Sequence, residues 1–323
     1  MKMLLTGNEA IARGAFEAGV KYASAYPGTP STEILENIGG YKDEIWAEWA
    51  PNEKVALEEA IGAAMAGGRS LAAMKHVGVN VAADPLFTYA YTGVNAGTVL
   101  VTADEPGQHS SQNEQDNRNY AKFAKIPLLE PADSQEAKDM TKAAFAISEE
   151  FDTPVLLRVT TRVCHSKGIV TCGEREEAPA REYVKNARKY MPVPAHSRLL
   201  RAKVEERMQK LRAFAETTPL NYIEWNGAEA GVIASGICYL YAKEVFGDSV
   251  SYLKLGFTHP LPDEKIKEFC SKVGKVYVLE ENDPIIEERV RMLGFDCLGK
   301  NIFPAFGELL PEVIRRAAFG AGL

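Results

Sequence analysis

Four polar stretches in the N-terminal half of the chain carry side chains that could bind a ligand or move a proton. They are YPGTPST (26–32), NEKVALEEAIGAA (52–64), MKHVGVN (74–80) and the loop DEPGQHSSQNEQD (104–116). Glu53 is a carboxylate in the first turn of a predicted helix, where the helix dipole favours negative charge. Thr29 would project a hydroxyl from a strand-to-helix turn, and His76 is a candidate base or binding group at a strand end.

Each stretch also has a plain structural interpretation. YPGTPST is equally typical of a tight turn in which Ser31 or Thr32 caps the following helix. An isolated glutamate in a first turn more often caps its helix, and a histidine at a strand end is more often an ordinary hydrogen-bonded residue. The polar loop is typical of either a functional or a disordered segment. All four stretches lie at predicted strand-to-helix crossings, however, so we expect them to converge on one edge of a sheet, where open α/β sheets bind ligands.

The sequence predicts an α/β protein with two units of alternating strands and helices, each a doubly wound sheet. In the first unit the predicted strands are 22–26, 45–49, 71–75, 97–102, 127–130 and 154–159. The helices predicted there are 8–18, 52–66 and 134–149, the last capped by Ser134. In the second unit the predicted strands are 231–234, 251–254, 275–279 and 295–298, and the helices are 236–246, 263–272 and 284–293.

A charged segment separates the two units. Residues 198–216 have apolar side chains at helical spacing, which predicts an amphipathic helix packed on a domain face, with disorder as the alternative. We therefore expect a first domain at 1–172, a charged connecting arm at 173–219 and a second domain at 220–323.

Composition excludes several classes of function. With 37 Lys and Arg against 44 Asp and Glu, the formal net charge is −7, which disfavours nucleic acid or an anionic membrane as the main partner. No run approaches the roughly 18 apolar residues of a membrane-spanning helix. The short apolar start soon meets charged residues, which disfavours a signal peptide and indicates the cytoplasm.

Cysteines and histidines give no pattern of metal ligands. The 5 cysteines form no C-x-x-C pair, so we expect free buried thiols and no iron–sulfur cluster or zinc site on this chain. The 5 histidines are too scattered for a metal site. Dinucleotide, P-loop, hydrolase-elbow and zinc-protease motifs are also missing from the sequence.

Further motifs extend to the C-terminal part of the chain: TTRVCHSKG (160–168), THPLPDEKI (258–266), VYVLEENDPIIEE (276–288) and GKNIFPAFGEL (299–309). Together with YPGTPST, NEKVALEEAIGAA, KHVGVNVAADPL (75–86) and HSSQNEQDNR (109–118), they resemble the alpha subunit of indolepyruvate ferredoxin oxidoreductase, in the 2-oxoacid:ferredoxin oxidoreductase superfamily. The resemblance covers the N-terminal half of that subunit, in the same order.

The resemblance implies a thiamine diphosphate pyrimidine-binding-type domain at 1–172 and a transketolase-C-terminal-like domain at 220–323. By motif position, Glu53 would hydrogen-bond the pyrimidine N1′ of thiamine diphosphate and act catalytically, and Thr29 would face the 2-oxoacid. The resemblance also implies that Gly28, His76 and Gly78 lie near the cofactor and that His109 lies near the substrate.

The activity implied by the resemblance is oxidative decarboxylation of an aryl 2-oxoacid to an acyl-CoA, with coenzyme A as co-substrate and ferredoxin as electron acceptor. Mg²⁺ and [4Fe-4S] clusters are expected on a missing region or partner chain, because no G-D-G motif or cysteine-rich segment is present. We expect a beta subunit and a homodimeric contact as further partners, and no activity from the isolated chain. The alternatives left open are a non-catalytic scaffold paralogue, a truncated or split subunit, and pyruvate or a branched-chain 2-oxoacid as substrate.

Overall fold

The computed structural model describes residues 1–320, in which strands and helices alternate along the chain. The strands are β1 (Lys2–Thr6), β2 (Tyr22–Ala25), β3 (Trp46–Trp49), β4 (Ser70–Lys75), β5 (Thr98–Asp104), β6 (Leu128–Leu129), β7 (Val155–Thr160), β8 (Lys167–Thr171), β9 (Asn221–Glu224), β10 (Ala230–Ser235), β11 (Ser251–Leu255), β12 (Phe257–His259) and β13 (Lys275–Leu279).

The helices cover most of the segments between these strands, and a short 3₁₀ turn is present at Gly39–Tyr41. The helices are α1 (Gly7–Glu17), α2 (Thr32–Ile38), α3 (Glu53–Met65), α4 (His76–Thr92), α5 (Arg118–Ala124), α6 (Ser134–Phe151), α7 (Thr161–His165), α8 (Ala187–Tyr190), α9 (Pro194–Thr217), α10 (Gly236–Phe246), α11 (Asp263–Lys272), α12 (Ile285–Met292) and α13 (Pro311–Gly320).

The larger sheet has 7 strands in the order β12-β6-β7-β5-β4-β2-β3, and its neighbours are parallel except for β12. Helices cover both faces of this sheet. Ile11, Ile34 and Phe145 of α1, α2 and α6 belong to the apolar cluster on one face. Leu57 and Leu86 of α3 and α4 belong to the cluster on the other face. A parallel sheet buried in this way is the predicted doubly wound arrangement.

The smaller sheet has 4 strands in the order β13-β10-β11-β9, of which only β9 is antiparallel to its neighbour. Ile314 of α13 belongs to the apolar cluster on one face, together with residues of α10. Ile266 and Val290 of α11 and α12 belong to the cluster on the other face. The predicted fold class, two doubly wound α/β units, is therefore confirmed.

The arm between the units contains the amphipathic helix that the sequence predicts. Five apolar residues of α9 are buried at helical spacing: Leu200, Val204, Met208, Leu211 and Ala215. The buried Arg207 on the same helix donates through Nη1 to the carbonyl oxygen of Ala90 at 2.7 Å, which holds α9 against α4. The disorder alternative is therefore wrong for this helix.

The polypeptide crosses from the smaller to the larger sheet at Gly256, between β11 and β12. A Cβ at Gly256 would lie 2.8 Å from the carbonyl oxygen of Leu220 and 2.6 Å from a methyl group of Met140, so only glycine fits. β12 then pairs antiparallel with β6. Through β12, a strand of the predicted second domain belongs to the larger sheet. The domain boundaries at 172/173 and 219/220 remain a prediction.

Several local expectations are wrong in detail. Asp133, and not Ser134, caps α6, because Asp133 Oδ1 accepts from the backbone N–H of Glu136 at 2.8 Å. The predicted strand 295–298 is absent from the described chain, and Leu298 makes only an isolated bridge to Tyr277. Strands β8, β9 and β12 were not predicted.

The cysteines are buried and outside disulfides, as expected. All 5 are free and buried: Cys164, Cys172, Cys238, Cys270 and Cys297. Within residues 1–320, no helix combines the length and the apolar character that crossing a bilayer requires.

Candidate functional site

The carboxyl ends of β2, β4 and β5 lie side by side, because these strands are parallel neighbours in the larger sheet. The segments that follow them are the turn at 26–31, the start of α4 and the polar loop at 105–117. α3 begins beside them, after β3. The predicted convergence of the four polar stretches on one sheet edge is therefore what the topology produces.

The turn at 26–31 is folded by its own hydroxyl groups. Ser31 Oγ donates to the carbonyl oxygen of Gly28 at 2.8 Å, and Thr32 Oγ1 accepts from the N–H of Gly28 at 2.9 Å. Neither hydroxyl caps the amides of α2, so the expected capping role is wrong. A Cβ at Gly28 would lie 3.0 Å from Cβ of Lys75, so the turn packs closely on the end of β4. Thr29 is exposed at its tip.

Glu53 is the first residue of α3, but it does not cap this helix. Asn52 has that role, since its Oδ1 accepts from the N–H of Val55 at 3.0 Å. The Glu53 side chain is half-buried, and no hydrogen bond or ion pair joins its carboxylate to another of residues 1–320. A carboxylate held partly out of water without a partner is free to bind a ligand.

Gly78 provides the surface against which the Glu53 side chain lies. A Cβ built at Gly78 would approach Glu53 Cγ to 2.6 Å and Oε1 to 2.7 Å, too close for any real side chain. The glycine in the first turn of α4 therefore keeps room for the carboxyl group. The structure brings these two predicted site residues together.

His76 is fully buried at the start of α4. Its Nε2 lies 3.2 Å from the carbonyl oxygen of Asn113, so this nitrogen carries the proton, and Nδ1 has no partner among the described residues. The side chains of Gln115 and Asn117 donate to the carbonyl oxygen of His76 at 3.2 Å and 3.0 Å. The polar loop thus fixes the start of α4.

The buried end of the polar loop is organised around Glu105, which the sequence did not single out. Its carboxylate accepts from the backbone of Ser110 at 2.8 Å and from the hydroxyl of Ser111, and it lies 3.2 Å from Nζ of Lys75. Burial alone would raise the pKa of Glu105, but the bonds from Ser111, Ser110 and Lys75 outweigh it and hold the pKa below its ordinary value. Glu105 therefore stays ionised and ties the loop to the end of β4.

His109 lies apart from the contact between Glu53 and Gly78. It is exposed, and its Nε2 is 3.5 Å from Oε2 of Glu308, near the C-terminal end of the described chain. Glu308 also pairs with Arg162, which follows β7. His109 thus lies in the polar loop and contacts the second unit.

A buried group of charges joins the polar loop to the second unit. Arg118 donates through Nη1 to Glu280 at 2.6 Å and through Nη2 to Asp116 at 2.6 Å. Burial would raise the pKa of Asp116, but Arg118 and Arg158 lower it to about 2. Sequence reasoning missed these residues because a buried charge resembles a solvated one until its partner, 162 positions away, is known.

Among residues 1–320, no group of three or more histidine, cysteine or acidic side chains is arranged to hold a metal ion. The candidate site contains one carboxylate without a partner among the described residues, a neighbouring glycine and a buried histidine.

Known structures share this fold. A 2-oxoglutarate:ferredoxin oxidoreductase from Magnetococcus marinus, solved with 2-oxoglutarate, coenzyme A and succinyl-CoA bound, matches 99% of this chain and 65% of its own, with a TM-score of 0.80 and 17% identity. The inactive beta4 tetramer of a split gene transketolase matches 98% of both chains with a TM-score of 0.63 and 15% identity. The fold therefore places the chain in the α/β class to which ferredoxin oxidoreductases and transketolases belong.

The chain belongs to the pyruvate flavodoxin/ferredoxin oxidoreductase family of thiamine diphosphate-binding domains, whose model matches residues 13–221. Relatives named indolepyruvate oxidoreductase subunit IorA are 45% identical in Archaeoglobus fulgidus, over 91% of this chain, and 42% identical in Pyrococcus horikoshii, over 95% of it. A 2-oxoglutarate synthase subunit KorA of Archaeoglobus fulgidus is 26% identical over 96% of this chain. The chain spans about half of the IorA relatives, 49% and 50% of their lengths. The predicted family is confirmed.

Proposed function

We propose that this chain is the part of a 2-oxoacid:ferredoxin oxidoreductase that holds the aminopyrimidine ring of thiamine diphosphate, with Glu53 as the group that hydrogen-bonds the ring. The observation that carries this proposal is the half-buried, unpartnered carboxylate of Glu53, lying against Gly78 at the ligand-binding edge of the larger sheet.

The residues present fit an aromatic heterocycle. The space that a Cβ at Gly78 would fill is occupied by the Glu53 side chain, so this glycine lets the carboxyl group lie at the edge of the sheet. A carboxyl group that is shielded from water and outside any ion pair shares a proton with a ring nitrogen more effectively than a solvated one. When bound, thiamine diphosphate supplies the nucleophilic carbon that attacks the keto group of the 2-oxoacid.

The other site residues have positioning roles in this proposal. The turn with two prolines presents the exposed hydroxyl of Thr29 towards the 2-oxoacid. His76 is held by the polar loop with Nδ1 free to accept a hydrogen bond, so it would bind the cofactor or order water beside it. His109 would act at the outer, substrate side of the same loop.

The substrate we propose is an aryl 2-oxoacid such as indolepyruvate. Relatives named for indolepyruvate are 41–45% identical to this chain, whereas those named for 2-oxoglutarate are only 25–26% identical. Coenzyme A would accept the acyl group and ferredoxin the electrons. A diphosphate-binding region with Mg²⁺, iron–sulfur clusters and a beta subunit would come from outside residues 1–323.

The test replaces Glu53 by glutamine in the assembled enzyme, measuring ferredoxin reduction that depends on indolepyruvate. We expect Glu53→Gln to lower the rate by about 10²–10⁴-fold, the usual contribution of a proton-sharing group. Glu58→Gln is the matched control, because Glu58 lies on the same helix, is exposed, and pairs only weakly with Lys54 at 3.9 Å.

Full activity in Glu53→Gln would contradict the proposal and favour a non-catalytic scaffold. A panel of indolepyruvate, pyruvate, a branched-chain 2-oxoacid and 2-oxoglutarate, assayed on the same enzyme, separates the substrate question from the role of Glu53. The isolated chain should show no turnover with any of them.

A further inference from the structure

A cavity lies between the two units, and its lining includes none of the residues of the Glu53 site. It has a volume of about 310 Å³ and is enclosed by α5, the arm helix α9, strand β12 and helix α12. This volume is at the lower end of the ~300–1,000 Å³ typical of small-molecule sites. Two of its lining residues, Thr258 and His259, come from the THPLPDEKI motif, which the proposed function does not use.

Two residues that line the cavity carry buried polar atoms without partners. The side chain of Thr258 is only 4% exposed, and its Oγ1 has no hydrogen-bond partner among residues 1–320. Nε2 of His259 is also enclosed and has no partner in the described chain. Because unpartnered buried polar groups destabilise a fold, these two groups would gain from a ligand in the cavity that supplied their partners.

The charged groups around the cavity favour an anion. Lys122, Arg212 and Arg289 line it from three different helices together with Glu288, and Arg289 is paired with Asp263. Glu288 and Lys122 are 3.9 Å apart, so their charges offset each other and Arg212 leaves the lining with a positive charge. Arg212 forms no ion pair with any of the described residues, so its guanidinium is available to a carboxylate.

The remaining wall of the cavity is apolar. Its side chains are Met208, Pro260, Leu261, Ile285 and Met292. Flexible methionines and a branched aliphatic surface fit a hydrocarbon or aromatic body better than a fully hydrated ion.

We propose that this cavity binds a small organic carboxylate with an apolar body, whose carboxylate pairs with Arg212 and accepts a hydrogen bond from the hydroxyl of Thr258. The site is separate from the Glu53 site, and its existence does not rest on the proposed function. Because α5, α9 and α12 all contribute, the bound carboxylate would join the arm to both units.

The probe is phenylacetate, titrated into the purified chain by calorimetry, with phenylacetamide as its uncharged analogue and inorganic phosphate as a purely polar anion. Phenylacetate should bind saturably at one site, and each of the other compounds should bind at least about tenfold more weakly, since each lacks one half of the recognition. No saturable binding, or equal binding of phenylacetamide or of phosphate, would overturn the proposal.

Two variants locate the site. Thr258→Val keeps the shape but removes the donor, and Arg212→Gln removes the exposed cation, so each should weaken phenylacetate binding by about tenfold. Arg198→Gln is the control, because Arg198 is an exposed arginine on the same helix α9, outside the cavity. Arg212 is exposed, so its replacement should leave the fold intact; unchanged affinity in Arg212→Gln would contradict the assignment.

The pH dependence gives an independent test. Burial lowers the pKa of His259 to about 4, with smaller effects from nearby cations. The charged side chains on the elements around it are Arg212, Lys122, Lys125, Glu288, Arg289 and Asp263. A bound carboxylate beside His259 would raise its pKa, so affinity should increase by about threefold or more from about pH 7 to about pH 5.5. His259→Gln should abolish this increase, and an unchanged increase would remove His259 from the site.

Discussion

At the residue scale, the environment of Glu53 depends on one neighbour in sequence and one in space. Asn52 takes the capping role, so the Glu53 carboxylate is not used up by the amides of its own helix. Gly78, 25 positions later, leaves the space into which that carboxylate extends. An acid in a first turn would otherwise be expected to serve its own helix.

The role of Gly78 gives a prediction about a single methyl group. In Gly78→Ala the new Cβ would lie 2.6 Å from Glu53 Cγ, so the flexible glutamate side chain must rotate away. We expect the assembled enzyme to lose about 10²-fold in rate, the scale of misplacing a catalytic group by about 1 Å, while the melting temperature stays near that of the wild type.

Gly62→Ala is the control for this change. Gly62 lies on α3, and nothing is within 4 Å of its built Cβ, so alanine there should keep full activity and stabilise the helix by about 1 kcal/mol. If Gly78→Ala retained wild-type activity, the proposed contact between Gly78 and a working Glu53 would be wrong.

At the element scale, the site depends on how helices begin. α3 starts at Glu53, directly after the capping residue Asn52, and α4 starts at a histidine whose carbonyl group is held by the polar loop. Capping fixes the direction in which the first side chain of a helix extends. A weakened start of α3 should therefore affect both stability and the position of Glu53.

Replacing Asn52 by alanine tests this dependence. Asn52→Ala removes the acceptor for Val55 N–H and should lower the free energy of unfolding by about 1 kcal/mol, measured by urea denaturation, with a smaller loss of activity than in Glu53→Gln. Asn52→Ser retains a good cap and should recover most of both quantities. Equal losses in the serine and alanine variants would show that capping is not the reason.

At the scale of the whole molecule, buried charges join the two sheets. Arg118 links Asp116 to Glu280, and Arg158 pairs with Asp104 at 2.7 Å in the same group. Such a cluster contributes little net stability compared with apolar packing, but it is costly to break, because each charge left behind remains buried. It fixes the relative position of the units on either side of the polar loop.

Glu281 in this region makes stability depend on pH. Burial raises its pKa from 4.5 to about 7, partly offset by a bond from Leu309 N–H and by Arg158. The unfolded chain therefore releases this proton at a lower pH than the folded chain does. The stability that the protonated Glu281 side chain contributes is present below about pH 4.5 and is lost as the pH rises towards about 7.

In the wild type, the free energy of unfolding should fall by on the order of 1 kcal/mol per pH unit between about pH 5 and about pH 7 because of Glu281, and Glu281→Gln should remove this fall. The measurement is urea unfolding between about pH 5 and about pH 8. Glu268→Gln serves as the control, because Glu268 is exposed and pairs with Lys272 at the surface. The same slope in Glu281→Gln and in wild type would show that Glu281 does not carry the effect.

The sequence by itself determined the long elements and the edge at which the site lies. The helices predicted at 236–246 and 263–272 coincide with α10 and α11, and the amphipathic pattern at 198–216 lies within α9. These features depend on periodicity, caps and turns within a few residues of each other, which a single chain displays directly. The motif series likewise indicated the family before any contact was known.

Only the tertiary structure decided which distant groups meet. It placed Gly78 against Glu53, paired Arg118 with Glu280, and carried β12 back into the first sheet. It also left Thr258 without a partner beside a cavity. No local pattern encodes such contacts, because they result from how completed helices and strands pack, and the side chain alone does not reveal whether its partner is water, protein or ligand.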